Sequence, residues 1–295
     1  MFLTYINDIP DAVNSSIKIF ADDTKVYRSV THLTQIQDLQ RDIDSVVDWS
    51  DKWQLPFNEA KCKCLHIGPG NLKHVYQMRD NVLESTSDER DLGIVIDSAL
   101  KFKRQAASAA SKATQVLAVI RRSFAHLTVQ TVTLLYKTLV RPHLEYGNVI
   151  WGPFNRADQK LLERVQRRAT KLVPEIRALP YPQRLQRLHL PSLYYRRRRG
   201  DMIAIYQLLH AGIDLDPDNF VSKCTLTSTR GHRWKLAKPQ AASRIRRNAL
   251  CIRAINDWNA LPAHVVLADT LTQFKSQLDQ HWHEVQFYVP TQDLT

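Results

Sequence analysis

Cysteine is scarce: Cys62, Cys64, Cys224 and Cys251 are the only four in 295 residues. Four thiols over that length do not build a disulfide framework, and a reduced intracellular setting fits better. They do not read as a zinc site either. Cys62 and Cys64 lack the spacer of structural zinc motifs, the other two are far apart, and His281-Trp282-His283-Glu284 puts its histidines on different sides of a helix. Long apolar runs are also missing, so no helical membrane span is expected. The first residues, Met1 to Asp8, have neither a basic segment nor a small-residue cleavage site, so no signal peptide is expected. Glycine is sparse, with 8 residues, and the chain holds neither a Gly-rich phosphate loop nor a Gly-x-Ser-x-Gly elbow. Internal repeats and low-complexity tracts are absent.

What remains is an ordinary globular composition, 44% hydrophobic, with a formal net charge of +12. That charge is unevenly spread. The first hundred residues hold 10 basic and 16 acidic side chains; the rest hold 31 and 13. The asymmetry implies a division of labour, with the basic part suited to a polyanion, most plausibly nucleic acid, rather than a membrane surface.

Periodicity divides the chain the same way. Ile17 to Ala21 and Thr24 to Tyr27 alternate apolar and polar residues around Asp22-Asp23, which predicts a β-hairpin with both carboxylates at its tip. Leu33, Ile36, Leu39, Ile43, Val46, Val47 and Trp53 then follow a helical period, with Gln37, Asp38, Arg41, Asp42 and Asp44 on the other face. Thr31 or Thr34 is the expected cap, Thr34 with Gln37 forming a capping box, and Pro56 is the expected stop. Strands are predicted at 61–67, 74–78 and 92–96, so residues 1–97 read as α+β, one helix on a small antiparallel sheet. Beyond Phe102 the pattern is helical: 103–122, 128–140 stopping before Pro142, 156–172, 193–211, and 241–283 broken at Leu261-Pro262, with a loop-rich stretch at 214–240.

Adjacent aspartates repel unless a cation holds them, and a hard divalent ion such as Mg²⁺ takes oxygen ligands of this kind. A solvated turn is the plainer reading of Asp-Asp alone. Context adds to it. Tyr5-Ile6-Asn7-Asp8-Ile9-Pro10 runs ahead of Phe20-Ala21-Asp22-Asp23-Thr24, then come Leu92-Gly93-Ile94, Tyr146-Gly147, Trp151 and Trp258-Asn259-Ala260-Leu261-Pro262. This series resembles the reverse transcriptases of non-LTR retrotransposons, in particular the jockey-like and chicken-repeat-like lineages, over almost the whole chain.

The resemblance implies a partial palm at 1–97, a helical thumb-like region at 98–192 and a basic C-terminal region at 193–295. It implies a nucleotidyltransferase that copies RNA into DNA with Mg²⁺, an RNA template, a DNA primer and deoxynucleoside triphosphates, resident in the nucleus or the cytoplasm, with the nucleus favoured. Asp22 matches a direct metal ligand and Asp23 a supporting one. Lys61 and Lys63 lie where the family carries a basic residue near the nucleotide, although an exposed strand lysine is the plainer reading. Leu92 and Gly93 resemble the primer-grip hairpin, with a simple β-turn as the alternative. The family's first catalytic aspartate, nucleotide-pocket motif and fingers lie upstream of the Tyr-Ile-Asn-Asp stretch, so this chain is expected to have little polymerase activity alone. A non-catalytic nucleic-acid-binding relic is the alternative.

The basic residues carry that second reading. Arg164, Arg167, Arg168 and Lys171 form a helical stripe. Tyr194 and Tyr195 stand beside Arg196, Arg197, Arg198 and Arg199, a mix of rings and guanidinia suited to RNA. Arg230, Arg233, Trp234, Lys235, Arg244, Arg246 and Arg247 extend the theme.

Overall fold

The computed structural model describes residues 6–210, 213, 215–224 and 232–290. The chain divides into two compact units, residues up to Leu100 and residues from Lys101 onward.

In the first unit, strands β1 (Ser16–Phe20) and β2 (Asp23–Tyr27) pair antiparallel, with Phe20 opposite Asp23. Helix α1 (Leu33–Trp53) follows. It buries Ile36 and Val47 against Tyr76, Met78 and Leu83, and buries Val46 and Trp49 against Ile6 and Ile9. Ile17, Ile19 and Val26, the inward face of the hairpin, pack on the second of these clusters. The cap differs from the expected box. His32 is the N-cap, and the Gln35 side chain accepts from the backbone N–H groups of Thr31 and His32 at 2.6 and 3.0 Å.

The expected single antiparallel sheet is absent from the described residues. In its place are separate two-stranded pieces. β3 (Lys63–Leu65) pairs parallel with β6 (Glu84–Thr86), β4 (Gln77–Met78) pairs with β5 (Asn81–Val82), and β7 (Asp88–Asp91) pairs with β8 (Ile94–Asp97). The alternation around Cys62 and Cys64 marks a strand but does not reveal its partner, which lies across a long connection.

Asp42 fixes the hairpin to the helix. Its carboxylate is 3% exposed. It accepts from the backbone N–H groups of Asn14 at 2.9 Å and Ser15 at 2.8 Å, just ahead of β1. Arg28, just after β2, lies 3.8 Å from Asp42 and donates to Asp38 at 2.9 Å and to the Ser15 hydroxyl at 3.3 Å. Asp38 and Asp42, one helical turn apart, thus hold both roots of the hairpin.

In the second unit, α2 (Lys103–Ser123) turns Ala106, Ala109, Ala110 and Ala113 inward, small residues that let α6 (Arg156–Thr170) approach closely. Between these two helices the chain does not stop at Pro142. α3 (Val129–Leu135) passes through a π-helical turn, Tyr136–Val140, into α4 (Arg141–Glu145). A wider turn there accommodates a residue that has no N–H and a bulky ring. α5 (Asn148–Trp151) carries the fully buried Trp151, and α7 (Tyr181–Arg187) and α8 (Leu193–Leu209) follow. The pair β9 (Ser222–Lys223) and β10 (Leu236–Ala237) precedes α9 (Arg244–Asn248), α10 (Leu250–Arg253), α11 (Ile255–Ala260), α12 (Ala263–Val266) and α13 (Leu271–His281). Their shared core centres on Met202, Ile205, Trp258, Val265 and Phe274.

Replacing Asp42 with Ala should cost about 1–3 kcal/mol, because buried N–H groups lose their acceptor. Burial alone would raise the Asp42 pKa, but the Ser15 hydroxyl, the two N–H groups and Arg28 together hold it below its ordinary value. A depressed folded-state pKa stabilises above the unfolded value and loses that contribution as pH falls through the folded one. Wild type should therefore lose stability below about pH 4 that Asp42→Asn does not lose, as read by hydrogen exchange at Ile17 and Val26.

Candidate functional site

The two aspartates sit where the alternation puts them. The loop between β1 and β2 is only Ala21-Asp22, and Ala21 adopts a left-handed φ of 52°. That conformation costs a non-glycine residue roughly 1–2 kcal/mol and persists only where its surroundings enforce it. Asp22 occupies the tip, and Asp23 opens β2 on the face it shares with Lys18 and Phe20. Both carboxylates are exposed. Asp8, in the preceding stretch, accepts from the Trp49 indole N–H at 2.8 Å and so is engaged elsewhere.

A second hairpin joins the first. Leu92 and Gly93 form the two-residue tip between β7 and β8, with φ of 45° and 83°. Positive φ at both central residues marks a type I′ turn. Asp91, immediately before Leu92, forms an ion pair with Lys25 on β2. The structure thus brings together two of the sequence-predicted elements. Lys63 is not similarly free: it pairs with Glu84 across the β3–β6 ladder. Lys61 is exposed at the end of a 3₁₀ turn.

Two carboxylates are oxygen donors of the kind a hard cation takes. Among the described residues, however, no group of three or more His, Cys, Asp or Glu side chains is placed to hold a metal.

The basic residues separate into two populations. On α6, Arg164, Arg168 and Lys171 (the helix C-cap) are exposed, while Leu162, Val165 and Ala169 are buried. Arg167, between them, lies over the Tyr181 ring at 4.9 Å. Buried Glu163 accepts from the Tyr181 hydroxyl at 2.5 Å; burial raises its pKa against the opposing pull of that bond, Arg197 and Arg167.

The arginine run on α8 is engaged inside the fold. Arg196 forks onto Glu145 of α4, Arg198 onto Asp257 of α11 at 2.8 and 2.7 Å, and Arg199 onto Asp279 of α13. Arg197 lies close enough to Glu163 and Asp201 to act on their charge. Tyr195 is 2% exposed and donates to Asp279 at 2.6 Å, so its ring is not a stacking surface. Tyr194 packs edge-on against Tyr288, with Arg198 over its ring. Of the remaining basic residues, Lys235 lies just ahead of β10, and Trp234 has Lys223 over its ring at 4.7 Å. Arg233 lies in a turn, Arg244 lies over Phe154, Arg246 and Arg247 are on α9, and Arg230 falls outside the described residues.

The sequence reading missed Asp201, which accepts from Arg253 of α10 at 2.9 and 2.7 Å. Arg253 also donates to the carbonyl oxygens of Val149 and Asn248. No spacing rule marks such a pair, because its members lie far apart in sequence. The downstream stretches that carry the sequence resemblance have architectural roles here. Gly147 takes a φ of 64°, Trp151 donates to Tyr146 O at 2.7 Å, Trp258 donates to Trp234 O at 2.8 Å, and Asn259 exchanges two hydrogen bonds with Leu236.

No protein-family model matches the chain, and no solved structure matches it. It is similar to the RNA-directed DNA polymerase from mobile element jockey of Drosophila funebris, 24% identical over a 252-residue alignment that covers 78% of this chain. The chain spans about a quarter, 25%, of that curated relative's length. It is thus a distant relative of a mobile-element RNA-directed DNA polymerase. No helix among the described residues is long and apolar enough to cross a membrane.

Two substitutions probe these assignments. Ala21→Gly should raise stability by up to about 1 kcal/mol in urea unfolding, as strain relieved at the tip outweighs added chain entropy. Asp201→Ala should cost about 3 kcal/mol or more, since it strands a largely buried guanidinium.

Proposed function

We propose that this chain is the C-terminal portion of a non-LTR retrotransposon reverse transcriptase, with a partial palm in its first unit and a nucleic-acid-gripping helical part in its second. The observation that carries the proposal is the clamped hairpin, which exposes Asp22 at its tip and Asp23 at the head of β2. The similarity to the jockey polymerase, extending over most of the chain, supports it.

In this reading Asp22, with Asp23 behind it, would hold Mg²⁺, which supplies charge neutralisation for phosphoryl transfer when bound. The Asp42 clamp holds the roots of the hairpin that carries both carboxylates, and the Lys25–Asp91 pair ties the Leu92-Gly93 hairpin, which would meet a primer end, to β2. Lys61 is the basic residue left to face a nucleotide. Since the hairpin offers only two carboxylates, further ligands must come from other residues, and the chain alone does not extend a primer.

The second reading, nucleic-acid binding without catalysis, draws on the exposed stripe. Arg164, Arg168 and Lys171 are in no ion pair among the described residues. Unpaired cations in a row bind phosphates through counter-ion release, with little sequence preference.

In Mn²⁺ titrations, paramagnetic broadening should reach the amides of Ala21 and Thr24 in wild type and vanish in Asp22→Ala. Primer extension by the chain alone that survives Asp22→Ala would overturn the assignment of the hairpin. RNA affinity should fall with rising salt, and the triple change Arg164→Glu, Arg168→Glu, Lys171→Glu should lower it at least about tenfold and flatten that dependence.

A further inference from the structure

From Lys101 to Leu144 the chain carries eight Lys and Arg side chains and no Asp or Glu. This stretch contains α2, α3, the π-helical turn and most of α4. The rod from α3 to α4 has two unlike faces. Val132, Tyr136, Val140 and Leu144 recur at helical spacing and are buried. Gln130, Leu134, Thr138 and Pro142, each two positions ahead of a buried residue, are exposed on the opposite face, and Leu139 and His143 are exposed beside them.

Leu134 is 63% exposed and Leu139 46%. A single leucine in water is ordinary, but two leucines and a proline on one helical face make an apolar patch. The π turn lies in the middle of that face, a distortion that recurs at functional sites. Cations edge the patch. Lys137 lies on the rod itself, and exposed Arg121 and Arg122 end α2, just ahead of the short connection into α3. None of these three forms an ion pair among the described residues.

An apolar strip edged by unpaired cations, on a segment without carboxylates, complements an apolar strip edged by carboxylates. Nucleic acid makes no use of the leucines, because aliphatic side chains offer no ring to a base. A lipid surface would bury the Gln130 amide and the His143 imidazole away from hydrogen-bond partners. A second copy apposed through the same face would set Arg121, Arg122 and Lys137 against their own counterparts. We infer that the outer face of α3 and α4 is a docking site for an acidic amphipathic helix of a partner protein. The apolar side of that helix lies on Leu134, Leu139 and Pro142, and its carboxylates face Lys137, Arg121 and Arg122. The inference is independent of the polymerase and nucleic-acid readings above.

The test uses the intact chain and fluorescence anisotropy of a labelled peptide of about 15 residues, roughly four helical turns, with Leu at helical spacing on one face and Glu on the other. The control peptide has the same composition with the Leu positions scrambled. Wild type should bind the amphipathic peptide at least about tenfold more tightly than the control. The double variant Leu134→Ser, Leu139→Ser should lose that preference at an unchanged Tm, since both side chains already face water. Arg121→Glu, Arg122→Glu and Lys137→Glu together should weaken peptide binding and flatten its salt dependence. Equal binding of the two peptides by wild type, or a preference that survives the leucine variant, would overturn the site. A lower Tm in the leucine variant would make the leucines part of the fold and overturn it as well. Without a peptide preference, leucine-dependent binding to phosphatidylserine–phosphatidylcholine vesicles would give the face to a membrane, and a leucine-dependent dimer in sedimentation equilibrium would give it to a second copy; either result overturns the inference.

Discussion

The helical unit depends on guanidinium–carboxylate forks converging on α8. Arg196, Arg198 and Arg199 reach Glu145, Asp257 and Asp279, while Asp201 on the same helix receives Arg253. Each fork is bidentate, so it fixes orientation as well as distance. Such pairs roughly break even against apolar packing when intact, yet losing one member leaves a costly stranded charge. Their main effect is therefore on register. They hold α4, α10, α11 and α13 against one helix whose Met202, Ile205 and Tyr206 enter the shared core. Ser192 sets the start of that helix, capping Tyr195 N–H at 3.1 Å and donating to Tyr288 O at 2.7 Å.

This arrangement reshapes the meaning of the charge excess. Five of the thirteen acidic residues of the basic half are engaged within the fold: four serve the forks, and buried Glu163 accepts from Tyr181. Arg164, Arg168, Lys171 and Arg187 are exposed and in no ion pair among the described residues. The cation run most conspicuous in the sequence is a set of internal ties, whereas the less conspicuous stripe on α6 keeps its charge available. For a polyanion, an exposed unpaired cation matters more than the number of arginines in a row, because only the former exchanges counter-ions for phosphates.

How far the sequence reveals this depends on the range of each interaction. The hairpin at Asp22-Asp23, the helix from Leu33 and the helix from Lys103 are legible because alternation and helical period are local signals. The role of Asp42 is not. It shares a polar face with Asp38 and Arg41 and reads as solvated, but its acceptor oxygens meet N–H groups 27 and 28 positions away. The same holds for the fork partners, for the parallel β3–β6 pair, and for the π turn that carries the chain past Pro142. A proline rule predicts a stop there, but a widened turn with tertiary support overrides it.

The two kinds of family signature therefore differ in what they can establish. Gly147, Trp151, Trp258 and Asn259 are held by backbone geometry, burial and hydrogen bonds within the chain. Their roles lie in the architecture of this chain and would survive the loss of all catalysis. Asp22 and Asp23 are different. They are exposed, they make no hydrogen bond among the described residues that would explain their placement, and a strained alanine holds them at a tip where folding alone would favour glycine or asparagine. That combination of exposure and a strained turn is the feature on which the proposed function rests. The functional case accordingly stands on that turn, and the clamp at Asp42 is what keeps the turn in place.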